Sequence, residues 1–94
     1  MKVAIAGAGA VGRSIARELI EATVTVASPW VGSQTLAFQE QSGARIAWID
    51  RLGEGILPTR TSVLQEGDVL HLVMREGTAE RVFEVLARGP EADR

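Results

Sequence analysis

The chain has 94 residues, 46 % of them apolar and 23 % charged, with ten Lys+Arg set against twelve Asp+Glu. That length allows one small domain. The absence of cysteine excludes disulfides and cysteine-built zinc sites, one histidine cannot supply a metal cage, and a formal charge of −2 gives no bulk attraction to nucleic acid or anionic lipid. No apolar stretch approaches the roughly 20 residues of a membrane span, and the Met1 to Ala6 opening, followed at once by glycines and Arg13, does not read as a signal peptide. A chain this short buries only about 60 % of its unfolded surface, so a soluble intracellular domain that self-associates is the expectation.

Lys2 to Ala6 reads as a strand, and Gly7-Ala8-Gly9-Ala10-Val11-Gly12 as a glycine turn behind it. Val11, Ile15 and Leu19 recur at helical spacing with Ala16 and Ile20 beside them. Arg13, Arg17, Glu18 and Glu21 fill the other positions, which predicts an amphipathic helix of about three turns. Val24-Thr25-Val26-Ala27 is β-branched and reads as the next strand, stopped by Pro29. Ser33 is placed to cap a short helix from Thr35 to Gln41, which Gly43 ends. Ala44 to Arg51 alternates, with Ile46 and Trp48 expected on one face and Arg45, Ala47, Ile49 and Arg51 on the other.

Leu52-Gly53-Glu54-Gly55 is turn chemistry, and Ile56-Leu57-Pro58 reads as a short, edge-like strand. Beyond a tight turn at Gln65-Glu66-Gly67-Asp68, Val69 to Met74 is apolar on both faces. A strand of that kind is covered on one side by its own domain and on the other by something else. Gly77-Thr78 opens a last helix with Glu80 in its first turn and an apolar stripe of Ala79, Val82, Phe83 and Leu86. Gly89-Pro90 ends it, and Glu91 to Arg94 is a tail.

Two stretches carry a resemblance. Met1 to Glu21 holds a complete G-x-G-x-x-G at Gly7, Gly9 and Gly12. Thr23 to Gly89 holds an ordered set of turns: Trp30-Val31-Gly32 with Leu36, Gly43-Ala44-Arg45-Ile46-Ala47, Gly53-Glu54-Gly55-Ile56-Leu57-Pro58, and the run from Thr61 to Leu70 with its Gly67-Asp68 turn. Both resemble the TrkA-type regulators of potassium uptake, which belong to the RCK (regulator of potassium conductance) proteins. The first resembles the start of their nucleotide-binding half, the second their C-terminal domain.

The resemblance implies an α+β fold, a β-α-β-β-β-α domain of the TrkA C-terminal type preceded by one extra N-terminal β-α unit. It implies a division into a truncated Rossmann-type element (1–22), a C-terminal-like regulatory domain (23–89) and a tail (90–94). A full family member carries a complete Rossmann-like half between the two stretches, so the chain reads as an internally shortened regulator. By the same resemblance the domain is cytoplasmic, held at the inner face of the membrane through a potassium channel or transporter subunit, and dimeric. Cyclic di-AMP, NAD(H) or ATP/ADP are the candidate ligands. No enzymatic activity, nucleic-acid partner or direct membrane insertion is expected.

Gly7, Ala8, Gly9, Ala10, Val11 and Gly12 are the candidate cofactor-binding residues. Gly7 and Gly9 let backbone approach a pyrophosphate, Gly12 lets helix and strand pack closely, and the helix N-terminus favours the anion. The pattern also asks for an acidic residue at the end of the next strand, where this chain has Ala27-Ser28-Pro29. A β-α unit that packs only hydrophobically is the favoured alternative. His71 needs an orienting carboxylate and a cleft to act as a general base, and the sequence displays neither; a packed or interface histidine is expected, and no catalytic or metal-binding residue is assigned. Trp30 and Trp48 are expected as core or dimer anchors. Arg45, Arg51, Arg60 and Arg75, each a solvated side chain alone, are together candidates for lining an anionic-ligand cleft at a dimer axis. A nucleotide-binding module built on the glycine turn and a ligand-free dimerisation module are the rival functions.

Overall fold

The computed structural model describes residues 3–5 and 17–91. Its elements are β1 (Val3–Ile5), β2 (Arg17–Thr23), α1 (Thr35–Ser42), β3 (Arg45–Arg51), β4 (Glu54–Ile56), β5 (Val69–Arg75) and α2 (Ala79–Arg88). The strands form one antiparallel sheet in the order β1-β2-β5-β3-β4, so the fold is mixed α+β. β5 is central, and its alternation decides the two faces. Leu70, Leu72 and Met74 point into a core shared with Ile46, Ile49, Ala22, Trp30, Phe38, Leu64, Val82 and Val85. Burying side chains of this size contributes about 1.5–3 kcal/mol each.

Residues 17–21 are strand, where the helical spacing of the sequence predicts helix. Arg17, Glu18 and Leu19 are good helix formers, but β2 pairs with β5 along its whole length, from Arg17 opposite Arg75 to Thr23 opposite Val69. A full ladder against the central strand outweighs a propensity of a few tenths of a kcal/mol per residue. The earlier part of that predicted helix lies outside the described residues. The strand expected at Val24 to Ala27 is displaced accordingly. Val24 N–H donates to Asp68 O at 2.8 Å and Gly67 N–H donates to Val24 O at 2.7 Å, after which the chain turns at Thr25 to Ser28.

That turn delivers Trp30 to the core. Its ring is fully buried, meets Phe38 edge to face with centroids 5.2 Å apart, and donates Nε1–H to the Val85 carbonyl at 2.9 Å. Helix α1 forms where predicted and ends in a left-handed Gly43 (φ 82°), whose N–H donates to Gln39 O. Its N-cap is Gln34 rather than Ser33, and no side chain caps it. In α2 the core-facing residues are Val82 and Val85, with Ala79 and Leu86 partly buried against the core; Phe83, expected on that stripe, is 46 % exposed.

β3 departs from simple alternation. Ile46 pairs with Leu72 but Trp48 pairs with His71, a bulge that leaves Ala47 as the extra residue. Ile46 and Ile49 therefore both face the core, while Trp48 turns away, contrary to the expected grouping of Ile46 with Trp48. The next hairpin turns on Leu52 (φ 54°) and Gly53 (φ 83°), two consecutive positive-φ residues as in a type I′ turn, which places β4 at Glu54–Ile56 rather than Ile56 to Pro58.

Candidate ligand cleft and the open sheet face

One end of the core is closed by an ion pair. Asp68, fully buried in the turn before β5, receives Arg51 Nε–H on Oδ1 and Arg51 Nη2–H on Oδ2, both at 2.8 Å, and Gln65 N–H at 2.9 Å. Arg51 also donates to Val63 O at 3.0 Å. Burial by itself would push the Asp68 carboxyl up, but the Arg51 hydrogen bond, the Gln65 amide and the Arg51 charge hold it below the usual carboxylate range. The same hydrogen bond raises Arg51. Arg51 is thus committed to the scaffold and is withdrawn from the set of ligand-binding candidates.

Arg45 and Arg60 instead line one cleft. A cleft of about 740 Å³ lies between the start of α1 (Thr35, Leu36, Gln39), the start of β3 (Arg45, Ile46, Ala47) and the 57–61 loop. Its floor is fixed by Ile46 N–H donating to Gln39 Oε1 at 2.8 Å, which ties strand to helix. The loop is shaped by Thr59 N–H donating to Ser62 Oγ at 2.7 Å and Ser62 N–H donating to Thr59 O at 3.2 Å. Leu36 and Leu57 are exposed, at 39 % and 76 %, and stand in this cleft beside Pro58. A lining that includes two arginines beside Leu36, Leu57 and Pro58 suits an anionic ligand with an apolar part.

Arg75 is elsewhere. With Arg17 and Arg45 it lines a smaller hollow of about 220 Å³ at the end of the sheet. Leu57, Thr59 and Thr61 are not assigned to a ligand site from the sequence, since nothing local marks a loop that meets a helix only through tertiary packing.

His71 lies on the sheet face opposite the helices, stacked on Trp48 with centroids 3.9 Å apart and planes 12° from parallel. Its Nε2 is 2.8 Å from Asp50 Oδ2 and its Nδ1 is 3.7 Å from Glu21 Oε2. An orienting carboxylate that the sequence did not reveal is therefore present, but His71 is not among the residues lining the cleft. Trp48 Nε1–H also donates to Asp50, at 3.2 Å. Trp30 is a core residue; Trp48 is half-buried on the open face. The glycine turn Gly7, Ala8, Gly9, Ala10, Val11 and Gly12 lies outside the described residues.

The fold is a small antiparallel sheet with both helices on one side and a cleft whose lining includes arginine and leucine. Residues 19–87 match the TrkA-C domain, and the chain belongs to that family. It is 44 % identical over 72 residues to the Trk system potassium uptake protein TrkA of Streptomyces coelicolor, an alignment that covers 77 % of this chain and 32 % of that protein. The chain thus spans about a third of the length of the curated relative it matches. Among solved structures it is similar to the RCK_C domain dimer of Streptococcus agalactiae BusR in complex with c-di-AMP, with a TM-score of 0.60 and 29 % identity over 70 % of this chain and 91 % of that one. A GsuK channel bound to NAD shares the fold, with a TM-score of 0.60 and 19 % identity over 99 % of this chain and 16 % of that one. Among the described residues no helix is long and apolar enough to cross a membrane.

Proposed function

We propose that this chain is a ligand-sensing regulatory domain of a potassium-uptake system, working as a homodimer and without chemistry of its own. The ligand is an anionic nucleotide of the cyclic di-AMP class. It binds between α1 and the 57–61 loop and passes its effect to a membrane subunit by favouring one arrangement of the dimer over another. On this reading the regulatory unit is the C-terminal-like part, 23–89, and the protein acts in the cytoplasm against the inner face of the membrane through that subunit.

The observation that carries the reading is one cleft of a TrkA-C domain whose lining includes Arg45, Arg60, Leu36, Leu57 and Pro58. The likeness to an RCK_C dimer bound to c-di-AMP supports it. Calorimetric titration of the full chain with cyclic di-AMP, NAD(H) and ATP tests it. Binding of cyclic di-AMP that Arg60→Ala weakens at least tenfold is the expected result. Binding of NAD(H) or ATP alone, unaffected by Arg60→Ala, would return the ligand to Gly7–Gly12, and no binding at all would leave a dimerisation module.

A further inference from the structure

The cleft between α1 and the 57–61 loop holds two polar groups that the fold itself leaves unused. Thr35 and Gln39 stand four residues apart on α1, so they share a helix face, and both line the cleft with Arg45 and Arg60. Gln39 is locked. Its Oε1 accepts Ile46 N–H at 2.8 Å, which fixes the oxygen end of the amide and leaves Nε2 with two donors. Among the described residues those donors meet no acceptor.

Thr35 is held more tightly still, with only 1 % of its surface exposed. Its backbone N–H donates to Ser62 O at 3.0 Å, but among the described residues its hydroxyl has no partner. No sealed side-chain nitrogen or oxygen among those residues lacks a partner, so the open sliver of Thr35 includes Oγ1. A hydroxyl so far withdrawn from water costs the fold stability that valine, of the same shape, would spare it. The exposed arginines attract any anion. A withdrawn donor discriminates, because a bond it fails to make with the ligand is not made up by water. Residues four apart on a helix have Cβ atoms about 5–6 Å apart, a span that the oxygens of one phosphate group bridge.

We propose that Thr35 and Gln39 are specificity-determining residues of the cleft. They donate through Oγ1 and Nε2 to a phosphate group of the ligand, while Arg45 and Arg60 supply the charge. The proposal rests on the ligand-sensing reading above and adds the neutral groups that select the anion. Calorimetric titration of the full chain with cyclic di-AMP, beside thermal unfolding of each ligand-free variant, tests it. Thr35→Val breaks no side-chain bond within the described residues. It should leave the unfolding temperature unchanged or raised and weaken binding about tenfold. Thr35→Ser keeps the hydroxyl and should hold affinity within about threefold of wild type. Gln39→Glu still accepts Ile46 N–H but offers no donor at pH 7, and should weaken binding by about tenfold or more. A residue that served only to tie strand to helix would be indifferent to that change.

A wild type that binds no cyclic di-AMP overturns the reading of the cleft and this assignment with it. Wild-type binding that neither Thr35→Val nor Gln39→Glu weakens leaves that reading standing and overturns the assignment. Weakening in only one of two stably folded variants overturns the pairing. If Gln39→Glu melts well below wild type, Thr35→Val decides alone. A loss there that Thr35→Ser shares overturns the role of the hydroxyl.

Discussion

Replacing Arg51 by methionine isolates the buried ion pair. The substitution keeps an unbranched chain in place but removes both 2.8 Å hydrogen bonds to Asp68, leaving a carboxylate with no solvent exposure and only the Gln65 amide as a partner. Breaking one side of a buried pair costs about 3–5 kcal/mol, and the surviving amide bond places this case near the lower end, about 3 kcal/mol. In a domain of this size that corresponds to a melting temperature lower by roughly 12–24 °C.

The pH dependence gives the sharper signature. In the wild type Asp68 is held below its unfolded value, so its stabilisation is complete above about pH 4 and is lost as pH falls through the lowered value. In Arg51→Met the burial that now opposes ionisation has no guanidinium against it, so the carboxyl rises above its unfolded value. The variant's penalty then eases as pH falls through that raised value. Urea unfolding followed by circular dichroism at one protein concentration, at pH 7 and again at pH 5, measures both quantities. A loss under 1 kcal/mol at pH 7, or a gap from wild type that does not narrow at pH 5, would refute this account of the pair.

Leu52→Asn should stabilise the protein by about 0.5–1 kcal/mol in the same unfolding assay, because Leu52 is fully exposed at φ 54°, a region asparagine occupies at less cost. Gly89→Ala should destabilise it by about 1–3 kcal/mol, since its Cβ would sit 2.7 Å from Pro29 Cβ at a φ of +92°; thermal unfolding reads this directly. Trp30→Phe loses the bond to Val85 O and part of the buried ring, with an expected cost of about 2–3 kcal/mol and a fall in denaturation midpoint without a change in slope. Cyclic di-AMP affinity should fall with Arg60→Ala and stay within twofold for Arg81→Ala, whose guanidinium sits against Gln41 O at 3.4 Å, outside the cleft.

Where local signals and tertiary demands agree, the elements lie where the sequence puts them. Gly43 ends α1 because only a residue tolerant of positive φ closes it there, and β5 is legible from the unbroken run Val69 to Met74. Residues 17–21 mislead because a helical period and a strand period can both be drawn through Arg17-Glu18-Leu19-Ile20. The choice between them is made by β5, more than fifty residues away in sequence. The cleft is half legible. Arg45 and Arg60 are two of the four arginines that the sequence offers, but that they line one cleft while Arg51 is taken by Asp68 depends on tertiary packing and on the turn at 65–68. The partnership of His71 with Asp50 is invisible because the two meet diagonally across the pairing of β3 with β5, which no local signal marks.

The bulge at Ala47 also acts as a phase switch. Upstream of it, side chains of β3 alternate in one phase; downstream they alternate in the other. Deleting that single residue would bring Ile46 and Trp48 into consecutive pairing with Leu72 and His71, a regular ladder that keeps Arg45 and Trp48 outward and Ile46 inward. Length can therefore change by one at this position without exchanging the two faces, whereas the loss of a residue elsewhere in the strand would turn the side chains on one side of it to the other face.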